Sequence, residues 1–144
     1  MADFVFNIAK GAARAKVAPG TNVTILLLKT AEADATLKDY DDVAALLAGS
    51  SVEADFTNYA RITGLTATET PDDTNDWVDL DLADQTWTSA GGATNNTLAK
   101  AIICAEEGAG DANLTPLVAL DFIVTTDGTN LNLEFDPNGF YRAQ

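Results

Sequence analysis

The sequence predicts a mainly β, single-domain protein with a β-sandwich or jelly-roll-like fold. Eight to nine short strand patterns recur at a spacing of roughly 8–14 residues, and turn residues separate them. A chain of 144 residues can bury an ordinary hydrophobic core without a disulfide or metal to stabilise it. We expect residues 1–20 to form an N-terminal strand and arm. Residues 21–144 are expected to form the domain, with one short helical insert at about residues 39–57.

The N-terminal segment joins an apolar alternation to a basic stretch. Phe4, Phe6 and Ile8 share one parity, which predicts a short strand. Residues 9–18 are small and basic, which predicts an extended arm or a frayed helix. Residues 21–29 are rich in β-branched residues and leucine, which is typical of a largely buried strand.

One convincing helix pattern follows a polar loop. Its apolar side chains have the i, i+3, i+4, i+7 spacing of a helix face: Tyr40, Val43, Ala44 and Leu47. Asp39 is the predicted N-cap, and Gly49 ends the pattern. Ser50 and Glu53 have the spacing of a capping box, which predicts a second helical turn over residues 52–56.

The remainder of the chain has strand patterns. Residues 77–82 alternate strictly, so that Trp77 lies among the aspartates of the outer face. We expect this strand to pair with residues 59–70 across a turn at residues 71–75. The pair Asp127–Gly128 stands between two alternating runs and predicts a second hairpin within residues 121–135.

The formal charge of −14 is unevenly distributed along the chain. Residues 1–38 carry a net charge of +2, and residues 39–144 carry −16. An acidic body disfavours nucleic acid and anionic membranes as partners, because both require basic patches. The basic N-terminal part either contacts a neighbouring subunit or packs on its own acidic body.

The residue types that most catalytic sites use are scarce in this chain. Histidine is absent, which disfavours Ser-His-Asp triads and most zinc sites. The single cysteine, Cys104, lies in an apolar run and is expected to be a buried thiol. We therefore predict a protein that is not an enzyme, with no catalytic residues, no cofactor and no metal ligands. The longest apolar run, residues 23–28, is too short to span a bilayer, and the start of the sequence lacks a signal pattern, so synthesis in the cytoplasm is expected.

Six aspartates lie between residues 72 and 84 and form a candidate calcium site. Their spacing lacks the glycine and the glutamate that an EF-hand loop has at its sixth and twelfth positions. The alternative interpretation is a solvated acidic edge that discourages pairing between sheet edges. A glycosidase carboxylate pair is disfavoured, because the acids fall at outer strand positions and in turns rather than in apolar settings.

Aromatic residues and arginines near strand ends are the candidate contact residues, because both types are enriched among interface anchors. Trp87 and Phe140 are expected in the core, whereas Trp77 and Tyr141 are expected at an interface. Each arginine of the acidic body is expected in a carboxylate network, internal or across subunits. The predicted interface residues are Phe4, Phe6, Ile8, Arg14, Arg61, Trp77, Tyr141 and Arg142.

Several stretches taken together carry a resemblance to a known group of proteins. They are E-A-D-F-T-N-Y-A-R at 53–61, D-D-T-N-D at 72–76, D-Q-T-W-T at 84–88, the predicted hairpin at 121–135 and G-F-Y-R-A at 139–143. Across roughly residues 34–144 the chain resembles small structural proteins found among the virion genes of tailed bacteriophages. The resemblance implies a component of the phage particle and carries over no binding residue.

Size, acidity and predicted β content favour a capsid decoration (cement) protein within that group. Such a protein is expected to bind the major capsid protein and itself, as a homotrimer on the exterior of the virion capsid. A tail, neck or fibre-associated virion protein is the alternative within the particle. A calcium- or carbohydrate-binding β-module, with Trp77 over the aspartates, is the alternative from another functional class.

Overall fold

Within residues 3–7 and 22–143, which this computed structural model describes, the chain forms eleven β-strands and two short α-helices. In chain order the strands are β1 (Phe4–Val5), β2 (Asn22–Thr30), β3 (Val52–Glu53), β4 (Ile62–Thr66), β5 (Thr68–Asp72), β6 (Trp77–Asp81), β7 (Gln85–Trp87), β8 (Lys100–Glu106), β9 (Leu114–Asp121), β10 (Leu131–Leu133) and β11 (Tyr141–Ala143). The helices are α1 (Asp34–Leu37) and α2 (Val43–Ala48), and a 3-10 turn covers Asp111–Asn113. The prediction of a mainly β fold is confirmed.

Three antiparallel sheets make up the β structure of the described residues. The largest has the strand order β1–β9–β8–β2–β3, and β4 also pairs with β2. A three-stranded sheet has the order β11–β6–β5, and β7 pairs with β10. Buried side chains from all three sheets belong to one hydrophobic core.

The two central strands of the large sheet are buried on both faces. All side chains of residues 23–28 in β2 and 100–105 in β8 are buried. Full burial of one leucine or isoleucine side chain contributes about 1.5–3 kcal/mol, so these strands are the main source of core stabilisation. Cys104 is one of these residues, as predicted, and burial raises the pKa of its thiol. No helix in the described ranges is long and apolar enough to cross a membrane.

The helical insert differs from its predicted bounds. Helix α1 lies in the expected polar loop, and Asp42 rather than Asp39 caps α2 by accepting a hydrogen bond from the Ala45 amide. The predicted turn over residues 52–56 is wrong, because Val52 and Glu53 pair with β2 as strand β3. Pairing with β2 gives the backbone of this segment hydrogen-bond partners, such as the Leu27 carbonyl that accepts from the Ala54 amide.

The predicted hairpin within residues 121–135 is also wrong. Strand β10 pairs with β7 and not with β9. The turn at Asp127–Gly128 is present, but its backbone docks on Ala90: the Gly128 amide donates to the Ala90 carbonyl, and the Ala90 amide donates to the Thr129 carbonyl. A local turn signal therefore identified the turn and not the partner of the strand that follows it.

Residues 59–70 divide between two sheets. The part in β5 pairs with β6 across the turn, as predicted, whereas β4 pairs with β2. Gly64 has a φ of +69° in β4, and the β2–β4 register shifts between Val23 and Ile25. A glycine at this kind of irregularity fits the bend that was predicted there.

Replacing Gly139 by alanine should strongly destabilise the protein. Gly139 has a φ of +88°, and an added Cβ would collide with the Leu80 carbonyl oxygen. Gly110 has the same φ of +88° but open space where an added Cβ would lie, so Gly110→Ala is the matched control. Gly110 also has a ψ of 161°, a combination essentially restricted to glycine, so we expect a loss of about 1–3 kcal/mol for Gly110→Ala and a clearly larger loss for Gly139→Ala in urea unfolding. Equal losses would contradict the steric account.

Candidate functional site

The most developed polar cluster on the three-stranded sheet joins Trp77, Asp79 and Arg142, and we call it the Trp77 face. The β6–β11 register places Arg142 directly opposite Asp79. The Arg142 guanidinium donates two hydrogen bonds to the Asp79 carboxylate, of 2.6 Å from Nε and 2.9 Å from Nη2. It also lies 3.9 Å from the centroid of the Trp77 ring, which is the geometry of a cation–π contact.

Electrostatics at the Trp77 face follow from this pairing. Hydrogen bonds from Arg142 hold the pKa of the Asp79 carboxyl below its ordinary value, and those to Asp79 raise the pKa of Arg142. Nearby, the Asn75 side chain donates to Asp72 and lowers the pKa of that carboxyl. Asp72 also accepts the Thr74 amide, so its carboxylate organises the β5–β6 turn.

Several residues that the calcium and carbohydrate alternatives require are already engaged in contacts within this chain. Among the described residues, no group of three or more aspartates, glutamates or cysteines is arranged to hold a metal ion. The Trp77 ring is half-buried, and Arg142 covers one of its faces. Asp79 is bound to Arg142, and Asp72 is engaged in its own turn. The structure thus brings two predicted interface residues, Trp77 and Arg142, together in one surface feature.

Arg61 belongs to an internal network. Its guanidinium donates to both Glu53 carboxylate oxygens at 2.7 Å and to Asp111 Oδ1 at 2.5 Å. The Tyr59 hydroxyl donates to Glu53 and accepts the amide of Leu27, and burial raises the pKa of this phenol. Arg61 therefore ties β3 to the 3-10 turn, which is the internal form of the predicted carboxylate network.

The remaining predicted interface residues occupy varied places. Phe6 is fully buried in the core, and half-buried Phe4 pairs with Ala119 of the chain's own β9. Tyr141 is half-buried and lies opposite buried Leu80, on the core-facing side of β11. Trp87 is in the core, as predicted, and its indole donates to the Ala60 carbonyl. Half-buried Phe140 packs against the core. The predicted contact residues Ile8 and Arg14 lie outside the described residues, as does most of the predicted arm.

A buried lysine is the feature that sequence reasoning missed. The Lys100 side chain is fully buried at the start of β8, and its ammonium lies 2.5 Å from Asp121 and 3.1 Å from Asp34. It also lies 5.1 Å from the centroid of the Phe4 ring. The signal in the sequence was a lysine within an otherwise apolar strand pattern, which requires a nearby carboxylate if it is buried.

The comparisons with known proteins give no relatives: no protein-family model, no curated protein and no solved structure matches this chain.

Replacing Lys100 by methionine should destabilise the fold by about 3 kcal/mol, because two carboxylates then lose a buried cation. This is the lower end of the usual range, since both acids keep partial access to water. Lys29→Met is the matched control, because Lys29 pairs with Asp55 at the surface. Urea unfolding should show little change for the control. Similar losses for the two variants would contradict the structural role of Lys100.

Replacing Arg142 by methionine should raise the pKa of the Asp79 carboxyl towards its ordinary value of 3.8. The lowered pKa contributes stability above the unfolded-state pKa, and that contribution is lost as the pH falls through the folded-state value. Carboxyl-carbon NMR titrations of both proteins measure the shift. The pKa of Asp127, which Thr129 lowers, should not change and is the internal control. An unmoved Asp79 titration would contradict the pairing.

Proposed function

We propose that this chain is a non-enzymatic structural virion protein that decorates the exterior of a phage capsid. The distribution of charge carries the proposal. Residues 3–7 and 22–143 hold all 22 acidic residues and five of the eight basic ones. Four of those five basic residues pair with carboxylates of the same chain: Lys29, Arg61, Lys100 and Arg142.

An acidic surface of this kind suits binding to a partner of opposite charge. Complementary potentials guide association and exclude wrong partners more than they add affinity. A decoration protein repeats its contacts over many symmetric copies, so each contact needs only modest strength. The resemblance of residues 34–144 to phage virion proteins supports the same role. The major capsid protein and further copies of this chain are the proposed partners.

Within this role the Trp77 face is the proposed contact with the shell. Trp77 is a rigid aromatic side chain at the surface, and Arg142 holds its orientation. Tryptophan and arginine are the residue types that most often dominate binding energy at interfaces. Asp79 neutralises the charge of Arg142. The proposed contact is therefore the Trp77 ring, held by Arg142, on an otherwise acidic surface.

Purified protein should bind capsid shells that lack it, at a fixed ratio of copies per capsomer. The shells should come from the phage whose genome carries this sequence, and co-sedimentation measures the ratio. Binding should weaken as salt rises, because exposed charges are screened. Absence of binding, or labelled protein only at the tail vertex, would contradict the capsid proposal.

Trp77→Ala should weaken shell binding roughly tenfold or more, the effect expected of an interface anchor. Trp77→Phe retains a ring and is the matched control, which should recover most of the affinity. Thermal unfolding of both variants separates loss of contact from loss of fold. Equal affinity of Trp77→Ala and the wild type would remove the Trp77 face from the contact.

A further inference from the structure

A groove of about 460 Å³ lies where β1, the end of β9 and the segment from β10 to β11 meet. We call it the aromatic groove. Its apolar lining includes Phe4, Leu120, Phe122, Leu133, Phe135 and Phe140. The rings of Phe135 and Phe140 are tilted against each other with their centroids 6.2 Å apart. A groove of this size and composition can accommodate several side chains of an extended peptide.

The rim of the aromatic groove is acidic. Asp3, Asp121, Glu134 and Asp136 line it, and no lysine or arginine of the described ranges does. Asp121 is paired with buried Lys100, which leaves three carboxylates to set the charge of the rim. The groove therefore favours an occupant that combines apolar and basic side chains.

An exposed isoleucine directly follows the groove lining in the sequence. Ile123 is 69% exposed and directly follows Phe122 of the groove lining. Its neighbours are fixed, because the Phe122 amide donates to the Ala99 carbonyl and the Leu98 amide donates to the Val124 carbonyl. The backbone thus holds a large apolar side chain out in solvent, one residue along the chain from the groove lining.

The chain itself contains a segment with the matching chemistry. Residues 8–21 contain three basic residues, Lys10, Arg14 and Lys16, and no acidic one. The same segment contains apolar Ile8 and Val17. Its formal charge of +3 is opposite to that of the three rim carboxylates.

The net charge of this protein disfavours self-association unless an attractive contact offsets the repulsion. Residues 3–7 and 22–143 carry a formal charge of −17, so the bodies of two copies repel each other. Bringing the basic segment of one copy against the acidic rim of another replaces that repulsion by attraction. We propose that the aromatic groove binds residues 8–21 of a second copy of this chain. The inference rests on the self-association included in the proposed function, and it does not depend on the shell.

The test neutralises the groove rim in one variant of the full-length chain and reverses the charge of the segment in another. The groove variant Glu134→Lys/Asp136→Asn changes the rim charge by +3 and keeps an oxygen at residue 136, where Asp136 accepts the Asn138 amide. The segment variant is Lys10→Glu/Arg14→Glu/Lys16→Glu. Asp41→Asn/Asp73→Lys is the matched control, because it changes the charge equally at exposed residues outside the groove.

Sedimentation velocity at low salt should show a self-associating wild type and control. The groove variant and the segment variant should each associate roughly tenfold more weakly or worse. A mixture of these two variants should associate again, because the unaltered basic segment of the groove variant meets the unaltered acidic groove of the segment variant. Circular dichroism of each variant confirms that it is folded.

Three results would overturn the inference. The first is a wild type that stays monomeric, which would leave shell binding to be tested on its own. The second is a groove variant that associates as strongly as the control. The third is a mixture that stays dissociated, because that result means that the segment does not bind the groove of another copy.

Discussion

The ion cluster around Lys100 is the interaction on which the arrangement of this protein depends. One buried ammonium joins Asp121 at the end of β9 to Asp34 at the start of α1, and it lies against the ring of Phe4 in β1. It therefore connects the central sheet, the helical insert and the N-terminal strand. Phe4 and Asp121 also line the aromatic groove, so the same cluster fixes one wall of the proposed contact site.

Two other described cations that pair with carboxylates, Arg61 and Arg142, also connect separate elements. Arg61 joins β3 to the 3-10 turn, and Arg142 joins β11 to β6 beside the ring of Trp77. Because most of the described cations are paired with carboxylates of the same chain, few remain to offset the other acidic residues of the surface. Fold and proposed function are connected at this point, because an acidic body with a separate basic segment favours contacts between copies and with a basic partner.

Strand patterns could be predicted where burial alternates or is continuous. Residues 77–81 and 100–106 form strands close to their predicted places. Successive side chains of a strand point to opposite faces of the sheet, so the polarity of each face appears directly in the order of the residues. Strand partners were harder, since pairing depends on contacts distant in sequence. Strand β10 follows a strong turn signal and still pairs with β7. Val52 was likewise predicted in a helical turn from its local pattern, but it forms a strand because it pairs with β2.

Only part of the candidate site could be read from the sequence. Trp77 was noticed as an aromatic residue on an acidic face, but its contact with Arg142 required the β6–β11 register. The aromatic groove combines residues from β1, β9 and the β10–β11 segment, and no local pattern brings these together. A reconstruction of phage particles with and without this protein tests the central claim most directly. The account predicts extra density at symmetric positions on the outer shell; density confined to the tail, or no difference between the particles, would contradict it.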